Sequence, residues 1–212
     1  MIKQEIRALI KGLLPAIDKT EKFRLRFLDA AIEKILSEMY VELWSANPML
    51  LDGFTKSYSG IAVNTEPQGN YFGYSILPVP IVPIPDKASG VRHVKTILQG
   101  GCKFKPVNYS EAERIFGSDV SVVSTMIGYS VSQGSALPRI DYWNMNDAVR
   151  QEGVRADLLI PFSVYGDNDI VLIPEIKNKQ GESFADRVLR ELSVIPPVDL
   201  VDDNKDRPTT KG

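Results

Sequence analysis

The chain offers few residues that could do chemistry, and their spacing is poor for it. His93 is the single histidine and Cys102 the single cysteine among 212 residues. A Ser–His or Cys–His nucleophile therefore depends on His93 alone. Nine positions separate it from Cys102, with Gly100-Gly101 between, and the local sequence offers no acid to orient the ring. Val91-Arg92-His93-Val94 reads as an ordinary strand site, and Cys102 as a structural thiol. A lone cysteine also excludes an internal disulfide and any multi-cysteine metal site. Gly166-Asp167-Asn168-Asp169 has part of the look of an oxygen-ligand loop, but Ile170 to Pro174 follows where a calcium loop needs further ligands and a helix. A surface turn joining two strands is the stronger reading. Asp202, Asp203 and Asp206 read as solvated tail charges. No phosphate loop, dinucleotide fingerprint, zincin helix or nucleophile elbow occurs. The expectation is no enzyme, no catalytic residue, no cofactor and no metal.

The elements that would position any site are clearer. Lys22 to Ser45 carries Leu28, Ile32, Ile35, Leu36, Met39 and Leu43 at the three- and four-residue spacing of one helical face. Asp18 and Glu21 read as a capping-box variant at its start, and Asn47-Pro48 ends it. We take this helix as the spine of a scaffold, about 40 Å long at 1.5 Å per residue. Ile2, Ile6, Leu9, Ile10 and Leu13 form a second stripe, expected to fold back on the spine as an αα-hairpin. Phe184, Val188, Leu189 and Leu192 form a third, stopped at Pro196-Pro197.

Between these lies β texture. Ser57–Asn64 and Asn70–Leu77 flank a Pro-Gln-Gly-Asn turn and predict a hairpin. Prolines 78, 80, 83 and 85 alternate with aliphatic residues, a pattern barred from a central strand, so we expect an extended structural clamp. Further strands are expected at Val91–Ile97, Lys103–Val107, Val120–Tyr129, Arg139–Asn144 and Asp157–Val164, with a short helix at Ser110–Phe116. The links are mostly too short for parallel crossovers, which predicts mainly antiparallel pairing. The class is α+β: a helical scaffold from residues 1–56 and 176–197, a β-rich insertion over 57–175, and an extended tail over 198–212.

Composition is that of an ordinary globular protein, with 25 basic and 27 acidic residues. A net charge of −2 gives no case for wrapping nucleic acid, although Lys95, Lys103 and Lys105 make a local basic patch. No apolar run reaches the roughly 20 residues of a membrane span, and the charged N-terminal stretch is unlike a secretory signal. We expect no membrane partner and synthesis in a cytosol. The tail has three aliphatic residues, Val198, Leu200 and Val201, among its charges. These are the candidate partner-binding residues, too few to form a core but enough to fill a groove.

Three stretches carry a likeness: the helix ending ELWSANP, the ladder ILPVPIVPIPDKASGVRHV, and the carboxyl part ADLLIPFSVYGDNDIVLIPEI…ESFADRVLREL…PPVDLVDDNKD. In order and layout they resemble the head-to-tail connector proteins of tailed phages, the ring or adaptor proteins of crAss-like short-tailed phages in particular. The resemblance implies a virion structural protein at the head-to-tail junction, made in the host cytoplasm. It further implies a helical adaptor that docks on the portal protein, other tail and ring proteins as partners, and a homo-oligomeric ring, a dodecamer. DNA would only pass through the lumen, and a terminal tail would grip neighbours. The large β insertion departs from all-helical adaptors. Three readings stay open beside it: another virion protein, a cytosolic β-domain module that binds a peptide or glycan, and an enzyme using Asp167, Asp169 or Glu175.

Overall fold

A computed structural model describes residues 1–14, 25–65, 72–98, 102–116, 126–132, 137–145 and 147–194. The protein is α+β, with five helices and eight strands among the described residues. Its contacts divide it into two compact units, Met1–Met39 with Tyr165–Gly212, and Tyr40–Val164.

The first unit is helical. α1 (Lys3–Leu13) is closed at its start by Glu5, whose carboxylate accepts the Ile2 N–H at 3.0 Å. α2 (Leu25–Ala46) is about 33 Å long at 1.5 Å per residue. Asp18 and Glu21 lie outside the described residues. In this unit α2 buries Leu28, Ile32, Ile35, Leu36 and Met39, so the sequence stripe is the core face. α5 (Phe184–Val194) begins at a capping box, in which Ser183 N–H donates to Asp186 while Asp186 N–H donates to Ser183 Oγ. It buries Phe184, Val188 and Leu192 and is tied to α2 by Lys34–Glu191 (2.6 Å) and Arg187–Glu38 (3.5 Å). The bond between α1 and α2 is bidentate, Arg7 Nε and Nη2 to the two oxygens of Asp29. α1 also holds the acidic turn. Lys3 and Gln4 N–H groups donate to the Asp169 and Asp167 carbonyls, and Arg7 pairs with the Asp167 carboxylate.

That turn does not join two strands. Among the described residues only an isolated bridge, Ile2 to Ile170, follows it, and residues 171–180 have no strand partner there. Pro174 removes a donor from the middle of the run, which breaks any ladder there.

The second unit holds two sheets. β1 (Lys56–Ile61), β8 (Val154–Leu158) and β4 (Val91–Thr96) form one, in the order β1-β8-β4. β2 (Asn64–Thr65), β3 (Phe72–Ile76), β7 (Arg139–Trp143), β6 (Met126–Ser132) and β5 (Lys103–Pro106) form the other, in that order. The expected hairpin is cut down to Asn64–Thr65 against Gly73–Tyr74. The rest of its first arm becomes β1 and leaves for the other sheet. Gly60 at φ +74° and the register shift after Tyr58 make the bend that parts them. Pairing is antiparallel except β5 with β6, which run parallel and are connected through α3 (Tyr109–Phe116). α3 packs Ala112 against Val107 and Trp143, and Phe116 lies over Gly128, where a β-carbon would collide with its ring. The expected N-cap Ser110 is inside this helix. Asn108 precedes it instead, its N–H donating to Glu111.

Three further boundaries shift. The strand expected at 157–164 is Val154–Leu158, followed by a 3-10 turn at Phe162–Val164 beside Pro161. Of the strand expected at 120–129, the first part lies outside the described residues and β6 runs on to Ser132. α4 (Asp147–Glu152) has no counterpart in the sequence reading. It ends at Gly153, φ +77°, whose N–H donates to Val149 O.

The proline stretch forms no strand and bends at Pro78-Val79 and at Pro85-Asp86, with Leu77, Ile81, Val82 and Ile84 buried and prolines 78, 80, 83 and 85 exposed. Val82 N–H donates to Leu159 O and Leu159 N–H to Gly90 O. Gly90 is needed here, because any β-carbon would meet the Val82 carbonyl.

The units divide at 39/40 and 164/165, whereas the sequence reading drew the lines at 56/57 and 175/176. Side-chain contacts at the first boundary, and backbone and side-chain bonds together at the second, account for the shifts. Tyr40 packs against Phe54 with ring centroids 5.8 Å apart and planes tilted by 53°, and Asp52 on the 3-10 turn Pro48–Phe54 pairs with Arg92 of β4, which draws the end of α2 into the sheet unit. At the other boundary Tyr165, Asp167, Asp169 and Val171 all bond to residues 1–7.

Candidate functional site

Two places could act on something outside the chain. The first is the polar face of the three-stranded sheet. Register sets Ser57 and His93 opposite Asp157, and Lys95 opposite Arg155, so these five residues share one face. Asp157 is 6% exposed. Its Oδ1 accepts the Ser57 hydroxyl at 2.5 Å and its Oδ2 accepts Lys95 Nζ at 3.4 Å. Arg155 donates to Ser57 Oγ at 2.9 Å and lies 3.6 Å from the carboxylate. Burial pushes the Asp157 carboxyl up, but the Ser57 bond and the Lys95 and Arg155 charges together hold it below the ordinary aspartate value. A carboxylate so stabilised is a weak base, and an Arg N–H occupies the hydroxyl oxygen it would have to activate. The cluster ties three strands together and lacks the poise of a nucleophile–base pair.

Beside it, His93 Nε2 lies 3.1 Å from Asp52 Oδ2, and Arg92 reaches the other oxygen of the same carboxylate at 3.1 Å. The sequence reading saw no acid for His93, because Asp52 stands 41 positions earlier in another element. His93 is on β4, in one sheet, and half-buried Cys102 directly precedes β5, in the other. Lys103 and Lys105 are exposed on the edge strand β5, while the third lysine of the basic patch, Lys95, is engaged by Asp157. Asp167 is held by Arg7, and Asp169 accepts the Gly166 N–H to close its turn. Among the described residues no group of three or more His, Cys, Asp or Glu is arranged to hold a metal ion, and no helix is long and apolar enough to cross a membrane.

The second place is in the helical unit. A groove of about 620 Å³ is lined by Met1, the run Val171–Lys177, Ser183 and Phe184. Val171 is fixed by an antiparallel exchange with Met1, its N–H donating to Met1 O. Beyond it Leu172, Ile173, Glu175, Ile176 and Lys177 make no backbone hydrogen bond among the described residues. Leu172 is 50% exposed and Ile170 68%. Pro174 has no N–H, so the stretch offers a neighbouring chain an incomplete row of donors beside its open carbonyls. The sequence reading missed this groove, having taken the run as one arm of a turn. The signal it had was Pro174 inside an aliphatic run. The expected partner-binding residues Val198, Leu200 and Val201 lie outside the described residues.

No protein-family model matches the chain, and no curated protein matches it.

Proposed function

We propose that the chain is a structural virion protein, a head-to-tail connector or adaptor ring subunit that docks on a portal protein and links it to the tail. The observation that carries the reading is the apolar groove along Leu172–Lys177, whose backbone, interrupted at Pro174, makes no hydrogen bond among the described residues and can be covered by a neighbouring chain. A closed ring needs such a surface on every subunit, because its contacts are heterologous and two different faces must match. The layout of the helical stripes, proline ladder and charged tail supports the same reading. On it the chain has no chemistry of its own, the ring is homo-oligomeric and dodecameric, and DNA passes through the lumen without being gripped. Native mass spectrometry of the purified chain, alone and with a candidate portal, tests it. A closed ring or a portal-bound ring is the expected result. A monomer under both conditions would overturn it.

One feature favours a second reading. Unpaired backbone along an apolar groove also suits a module that captures an extended peptide. A chain that stays monomeric and binds peptides through the groove would establish that reading instead.

A further inference from the structure

The polar face of the three-stranded sheet carries more positive charge than the fold itself neutralises. Register sets Lys95 of β4 directly opposite Arg155 of β8. Like charges placed so, with β-carbons about 5 Å apart, repel and weaken the pairing of their strands. A single carboxylate serves them both. Asp157 is shared loosely, at 3.4 Å from Lys95 Nζ and 3.6 Å from Arg155 Nε, while its close bond is to the Ser57 hydroxyl. Two cations against one anion leave one positive charge unbalanced. The donors are underused as well. Arg155 spends one N–H on Ser57 Oγ at 2.9 Å and Lys95 one on Asp157, which leaves most N–H groups of the guanidinium and ammonium uncommitted. Neither side chain has a further protein partner among the described residues, and they are 47% and 57% exposed, so a solute can reach both.

We propose that Lys95 and Arg155 together hold one phosphate group of a small soluble ligand, inorganic phosphate or a phosphomonoester, on this face. The guanidinium fork meets two oxygens and the ammonium a third. A tetrahedral group presents that third oxygen outside the plane of the fork, and a planar carboxylate has none to present. The anion stands between two like charges and removes their repulsion, so binding stabilises the sheet unit by mass action. A nucleic-acid backbone is a poorer match. It is held through many phosphate contacts at once, whereas this face has two cations and the whole chain a net charge of −2. Asp157 sets the limit on affinity, because the carboxylate that ties β1, β8 and β4 together also repels the ligand. The site lies within the sheet unit and needs neither the groove nor a second copy of the chain.

Titration of the isotope-labelled full-length chain with inorganic phosphate, at ionic strength held constant with chloride, tests the proposal by backbone amide shifts. The expected result is saturable movement at Ser57, Lys95 and Arg155, lost in Lys95→Gln and in Arg155→Gln and kept in Lys103→Gln, which lies in the other sheet. Shifts that never saturate, or that persist in Lys95→Gln and Arg155→Gln, would overturn it. Glycerol 3-phosphate is expected to bind at the same residues, and the tighter of the two probes identifies the source of the group. Acetate giving the same saturable shifts would overturn the phosphate assignment. A single-stranded oligonucleotide without terminal phosphates that binds this face more tightly than phosphate would overturn the small-ligand assignment. Asp157→Asn gives the readout that a merely structural role would not move. Although less stable, it should bind phosphate about fivefold more tightly, the effect of removing one unit charge roughly 4 Å away in water. Unchanged or weaker binding by the folded variant would overturn the placement beside Asp157, and if that variant does not fold, the two glutamine variants still decide the site.

Discussion

At the scale of single residues, the sheet unit is held by charges satisfied within the fold. Asp157 is the clearest case. Because its folded carboxyl titrates below its unfolded counterpart, the stability it contributes is present above the unfolded value of about 3.9 and is lost as pH falls through the folded one. Asp157→Asn is expected to cost roughly 1.5–3 kcal/mol at neutral pH, the usual range for hydrogen bonds to a charged group. Part of the acid limb of the stability profile should vanish with it. Urea melts of parent and variant between pH 3 and 7 check both, and parallel acid limbs would refute the assignment. His93 gives the opposite expectation. Its ring is 42% exposed, and Arg92 remains on the Asp52 carboxylate when the ring is gone. His93→Ala should therefore change stability by less than about 1 kcal/mol, measured by thermal melting. Lys3 is a harder case for the protein. Its side chain is buried with Nζ donating to Tyr165 O at 2.7 Å, and burial lowers its pKa despite Asp29 nearby.

At the scale of elements, some structure was legible because it is local. The stripe Leu28, Ile32, Ile35, Leu36 and Met39 is buried as its spacing required, and so are Phe184, Val188 and Leu192 of the third stripe. Ile35→Asp should cost about 3 kcal/mol or more, since it leaves a charge unpaired in the core of the helical unit. A melting temperature within a degree or so of the parent would refute this. Strand partners were not legible. Ser57 bonds to Asp157 a hundred positions away, and nothing near either residue encodes that choice. It follows from β8 taking the centre of a three-stranded sheet, a decision made by burial of Val154, Ala156 and Leu158 together. The parallel pair was missed for a similar reason. The helix at Ser110–Phe116 was read in the link between β5 and β6, but not that it serves as their crossover. α4 was missed because six residues carry too little periodicity, yet Gly153 marks its end. Gly153→Ala should destabilise by roughly 1–3 kcal/mol by chemical denaturation, since φ is +77° and a β-carbon would stand 2.7 Å from Ile61 O.

At the scale of the whole molecule, the chain devotes its outer sequence segments to one unit and its middle to another. The groove belongs to the first, alongside the helix from which the tail departs. If the tail serves assembly, deleting residues 198–212 should leave the melting temperature nearly unchanged and weaken incorporation into rings. Thermal melting and copurification with assembled particles check the two halves of that statement separately. Unfolding of the truncated monomer would make the tail part of the scaffold, and undiminished assembly would remove its role. The candidate catalytic residues were readable in the sequence as isolated positions, and what they engage was not. Asp52 meets His93, and Arg7 meets Asp167, only once distant elements are packed.

The proline ladder has one more effect, which bears on pairing between copies of the chain at high concentration. An extended segment rich in valine and isoleucine is the kind of sequence that seeds β-aggregation when a second chain zips onto it. Here four of the eight residues from Pro78 to Pro85 have no N–H to offer, and their rings are the exposed side of the run. The aliphatic residues Ile81, Val82 and Ile84 face inward, and Val82 already donates to Leu159. An approaching strand would find gaps where a ladder needs donors, so copies crowded together are steered away from this stretch.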